Sequence, residues 1–127
     1  MITIPISIGE LIDKLSILYI KKTKIYNPEK LEFINEEFEL LYNISSYYLN
    51  EENISTLYSK LVEINSKLWE IEDEIRNNEN SKIFDSRFIH LARQVYQTND
   101  ERFSLKNKIN ELTNSEIREQ KEHINYQ

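Results

Sequence analysis

Charged and polar side chains in the second half of the chain share the three-four spacing of the apolar ones. Asn99, Arg102 and Lys106 line up with Phe88, Ala92, Val95 and Ile109 on one face of a predicted helix. The preceding predicted helix carries Trp69, Glu72 and Arg76 in a row with Tyr58, Val62 and Asn65. A charge in an apolar row has to meet a partner, because burying it alone costs several kcal/mol or forces it to neutralise. Two kinds of chemistry answer that demand. Glu72 opposite Arg102 or Lys106, with Asn99 hydrogen-bonded nearby, makes an ion-pair network that fixes helix register. Alternatively, Trp69, Arg76, Arg93, Tyr96, Arg102 and Lys106 line a pocket for a small anion, a phosphorylated or nucleotide-type molecule. All five arginines, Arg76, Arg87, Arg93, Arg102 and Arg118, fall in this half, and the planar guanidinium fork suits phosphate.

A third chemistry ranks below these. Helical pyrophosphohydrolases hold magnesium against phosphates with carboxylates from two helices, and Glu36, Glu37, Glu70 and Asp73 superficially fit that design. Leu40 stands where a third acid is wanted, and Glu36 and Glu70 project from predicted solvent faces. His90 and His123 are isolated, with no metal-ligand spacing and no nucleophile beside them. There is no phosphate-binding glycine loop, nucleophile elbow or zinc motif. The sequence therefore assigns no catalytic residue, metal ligand or cofactor, names no reaction, and leans toward a non-enzymatic role.

Helices must position these side chains. With 127 residues, 39% hydrophobic and 30% charged, one Gly and two Pro, the chain suits a single globular domain and lacks the turn-formers of an all-β fold. A net charge of -6 argues against nucleic acid and anionic membranes as partners. The absence of cysteine fits a reducing compartment, and MITIPISIGE has neither a signal-peptide pattern nor a spanning run, so the expected location is the cytoplasm.

Ile2, Ile4 and Ile6 alternate around Pro5 as a short extended arm. Ser7 to Glu10 reads as a capping box that opens helix one, with Glu10 reaching back to the cap. That helix is apolar on two sides, Ile17 and Ile20 lying away from the main row, while Asp13 and Lys14 read as a solvated face. Asn27-Pro28 starts helix two, which runs to about Leu49. Its core row is Leu31, Ile34, Phe38, Leu41, Ser45 and Tyr48, and a second row, Phe33, Leu40, Ile44 and Tyr47, is left for a partner. A seam of Ile54, Leu57, Leu61, Ile64, Leu68, Ile71 and Ile75 marks helix three. Residues 77–86 read as the longest loop, and helix four runs to about Leu112 before a short polar tail.

The strings PISIGELIDK at 5–14, LWEIEDEIR at 68–76, LARQVYQTNDERFSLKNKIN at 91–110 and SEIREQK at 115–121 together resemble an uncharacterised bacterial family of short helical proteins, a domain of unknown function. The resemblance implies a stand-alone helical domain and carries no activity. Its charged pattern falls on Glu10, Asp13, Lys14, Glu72, Asp73, Arg76, Arg93, Asn99, Asp100, Arg102 and Lys106, and so adds Asp13, Lys14, Asp73 and Asp100 to the candidates for the polar network or ligand site. Tyr19 departs from an acid of the family pattern, and Asp85-Ser86 from a Gly-Pro. The expectation is an all-α antiparallel bundle of four long helices in two hairpins. It would form a homodimer through Phe33, Leu40, Ile44 and Tyr47, with another protein or a small anion as a possible partner.

Overall fold

The computed structural model describes residues 1–126, which form four α-helices: α1 (Ile8–Lys24), α2 (Pro28–Leu49), α3 (Glu52–Ser81) and α4 (Ser86–Thr113). Each start is set by a side chain that satisfies an otherwise orphaned N–H of the first turn. Ser7 accepts from the Glu10 amide at 3.0 Å, Asn27 from Lys30 at 3.0 Å, Glu51 from Ile54 at 3.2 Å and Asp85 from Phe88 at 3.1 Å. α3 and α4 stop without glycine. Lys82 and Asn114 adopt left-handed φ values of 57° and 52°. The amides that follow them, Ile83 and Ser115, donate to the Asn78 and Asn110 carbonyls at 2.9 Å each, which closes the last turn of each helix.

α1 is the central element. It packs against each of the other three helices, α3 packs most extensively against α4, and α2 lies on α1 with a lighter contact to α3. Ile12, Ile54, Leu61 and Ile109 form a buried cluster that draws on α1, α3 and α4, flanked by Tyr48, Leu49, Leu57 and Leu105. Each such side chain contributes roughly 1.5–3 kcal/mol by leaving water. The apolar seam of α3 lies as its spacing predicts, with Ile54, Leu61, Leu68 and Ile71 buried. No strand is present among the described residues, and no helix is long and apolar enough to cross a membrane.

The structure corrects three expectations. The 77–86 loop is much shorter, because α3 runs on through the polar Asn77–Ser81 stretch and the left-handed turn at Lys82, not composition, ends it. Arg87 clasps Glu74 through two hydrogen bonds, of 2.8 and 3.1 Å, across the remaining loop. The buried line of α4 is Leu91, Thr98, Lys106, Ile109 and Asn110, so the helix is turned from the predicted row toward Leu91 and Thr98, leaving Ala92 exposed and Val95 half-buried. Among the described residues the short polar tail after Thr113 forms no further helix, and side-chain bonds hold it against α1 and α4. Asp13 is not solvated at all. Its exposure is 0%, because α1 is covered by three neighbours and has little free side left.

Candidate functional site: a closed polar network at the start of α1

Three helices meet at the Asp13 carboxylate. From α4, Arg102 donates through Nε to Oδ1 at 2.9 Å and through Nη2 to Oδ2 at 2.5 Å, the bidentate geometry that suits a guanidinium. From α3, Asn65 Nδ2 donates to Asp13 Oδ1 at 3.0 Å and to Ser16 Oγ at 2.8 Å. Ser16 in turn donates to the Asp13 carbonyl at 2.6 Å. Asp13, Ser16 and Asn65 are buried, whereas the Arg102 side chain keeps 27% exposure. The hydrogen bond that Arg102 donates to Asp13 holds the Arg102 pKa above its ordinary value, and the Coulomb attraction of Asp13 adds to this against the opposing effect of burial.

One turn along α4, the nearly buried Lys106 ammonium sits between two carboxylates, Glu10 Oε2 and Glu119 Oε2, each 2.8 Å away. Burial is the largest single influence on Lys106 and works against its charge, yet the hydrogen bonds to Glu10 and Glu119 outweigh it and leave the pKa raised. Lys106 is therefore a stable cation, not a poised base. Glu10 does not complete the predicted capping box. An ammonium within reach on α4 draws its carboxylate away from the backbone.

The first turn of α1 is closed by the far end of the chain. The Ile8 amide donates to Ser115 Oγ at 3.2 Å and the Gly9 amide to Asn110 Oδ1 at 2.7 Å. A Cβ on Gly9 would stand 2.4 Å from the Lys106 carbonyl oxygen, so only glycine lets α4 come this near. A helix N-terminus is a natural anion site, but these amides are already taken by protein side chains. Three carboxylates, Glu10, Asp13 and Glu119, face three cations, Arg102, Lys106 and, 3.9 Å from Glu119, Lys121, which leaves no surplus positive charge for an anionic ligand.

The other predicted residues do not converge on this network. Glu72 pairs with Arg76 on its own helix at 3.7 Å, both exposed, and not with Arg102 or Lys106. The expected partner lost because Asp13 reaches the same guanidinium from a fully buried position. Asp73, Arg93 and Lys14 are exposed, and Trp69 is half-buried. Tyr96, Asn99 and Asp100 line a separate cleft of about 580 Å³ against the tail, with Lys121 and His123 opposite. There the Tyr126 hydroxyl donates to Asp100, and its ring meets Tyr96 edge-on at 5.0 Å. Among the described residues no three His, Asp or Glu side chains gather as a metal would require, and Glu70, one of the acids that suggested magnesium, pairs with Lys24 at 2.5 Å.

Sequence reasoning missed Ser16, Asn65, Asn110, Ser115 and Glu119 as members of the network. A usable signal existed for the close approach at Asn110: the chain's single glycine stands in the first turn of a helix, where its flexibility is costly unless a neighbouring backbone needs the space. On α2 the row Phe33, Leu40, Ile44 and Tyr47 stands 53–78% exposed. No characterised protein and no solved structure matches the chain significantly. The family model that does match, a family of unknown function (DUF6165), aligns with residues 2–126, and the chain belongs to that family.

Proposed function

We propose that this protein is a non-enzymatic helical assembly module of the cytoplasm that pairs with a second copy of itself through α2. The observation that carries this reading is the uncovered row Phe33, Leu40, Ile44 and Tyr47 on a helix whose opposite side is already committed to α1 and α3. A contiguous apolar row of that size on a soluble chain is the usual mark of an interaction surface. The anion-binding alternative loses support because Arg102 and Lys106, the cations that suggested it, are held by carboxylates of the same chain. Absence of cysteine suits the reducing cytoplasm.

Sedimentation velocity tests the pairing. Wild-type protein at tens of micromolar should sediment with twice the chain mass, and the double substitution Phe33→Glu with Ile44→Glu should return it to a folded monomer. A wild type that stays monomeric, or a double variant that still dimerises, overturns the proposal.

A further inference from the structure

The charges of α2 are unevenly placed. Glu29, Lys30, Glu32, Glu36, Glu37 and Glu39 all lie before Leu40, whereas the segment from Leu40 to Leu49 contains no Asp, Glu, Lys or Arg. The exposed row runs through both halves, with Leu40 seven residues after Phe33 and seven before Tyr47. We infer that two copies meet with their α2 helices antiparallel about a twofold axis at Leu40, so that Phe33 of each copy lies against Tyr47 of the other. This arrangement rests on the self-association proposed above and specifies its register.

Charge selects this arrangement over a parallel one. In parallel register Glu36 and Glu37 of one copy would face the same two carboxylates of the other, and like charges so placed repel. The antiparallel pair sets that acidic turn beside Asn43 and Ile44, with no second carboxylate across from it. A twofold contact of this kind is also closed, because each copy uses the same patch and the assembly ends at two chains.

The surface beside Leu40 is built to extend the contact. A single helix face about 33 Å long and about 10 Å wide offers well under the roughly 800 Å² per partner of a stable complex. The N-terminal arm supplies more. Ile2 and Ile4 are 88% and 63% exposed and, with Leu40, Leu41 and Ile44, line a groove of about 630 Å³ next to the proposed axis.

Because the chain has no cysteine, single introduced cysteines report the register cleanly. The test oxidises otherwise wild-type protein carrying Leu40→Cys, Phe33→Cys, Tyr47→Cys or, as an exposed control away from the row, Tyr26→Cys. Leu40→Cys should form a disulfide-linked dimer at least tenfold faster than Tyr26→Cys, since the axis brings two copies of the same position together. Phe33→Cys should cross-link when mixed with Tyr47→Cys and remain uncross-linked alone. Efficient self-linking by Phe33→Cys overturns the antiparallel register in favour of a parallel one. Absence of cross-links from any of the row positions, in protein that sediments as a dimer, overturns the α2 contact while leaving self-association standing. A monomeric wild type overturns both.

Discussion

α1 and α2 carry the same kind of sequence signal and meet opposite fates. Both are apolar on two sides, yet eight of the 17 residues of α1 are buried, whereas only Ser45 of the 22 in α2 is. For α1 the second side is answered inside the chain, because α3 and α4 close around it and even its carboxylate at Asp13 finds partners. For α2 it is not. The lesson is that a two-sided apolar helix states only that two neighbours are required; whether the second neighbour belongs to the same molecule depends on how the remaining helices are arranged.

The comparison breaks first at Asp13. Asp13→Ala leaves Arg102 and Asn65 without their shared acceptor and should cost about 3 kcal/mol, toward the lower end for a broken buried ion pair because Arg102 keeps some contact with water. Urea unfolding of the variant measures it, and a loss under about 1 kcal/mol would show α1 to be no better anchored than α2. Gly9→Ala should cost about 2 kcal/mol, since the added methyl collides with a backbone carbonyl that no rotamer change can move aside. The same unfolding experiment reads it, and a neutral result would mean that α1 and α4 can separate at no cost. The smallest change belongs to α2. Leu40→Ala, unfolded at a concentration where the wild type is monomeric, should stay within about 0.5 kcal/mol of wild type; a larger loss would place Leu40 in the core of the single chain.

The sequence made the helices and their caps legible because those depend on neighbours a few residues apart. Ser7 and Asn27 cap where their position before a periodic run implies, and of Asp85 and Ser86, either of which could cap helix four, Asp85 does so. It also showed that Arg102 and Lys106 must be paired. It could not say with what. Glu72 was an attractive partner because α3 and α4 are consecutive, but helical periodicity gives only the angle around one axis, not the height at which a third helix crosses. Asp13 wins through that height, reaching Arg102 from a helix that precedes it by 89 residues. The tail illustrates a different limit. Glu119 and Ser115 make no periodic pattern, so their docking onto Lys106 and Ile8 had no local signature to read.

The bonds that close the first turn of α1 also dictate the order in which this protein can be made. The Gly9 amide waits for Asn110, 101 residues later, and Ile8 for Ser115, 107 residues later. At translation rates of about 5–20 residues per second, the central helix stays without those partners for on the order of ten seconds after it has been synthesised. During that interval α1 can already meet α2 and α3, which supply Ile54 and Leu61 of its core, but its first turn stays open until α4 and the tail arrive. The last contact to form on α1 is then the one at its own start, a long-range closure between the two ends of the chain.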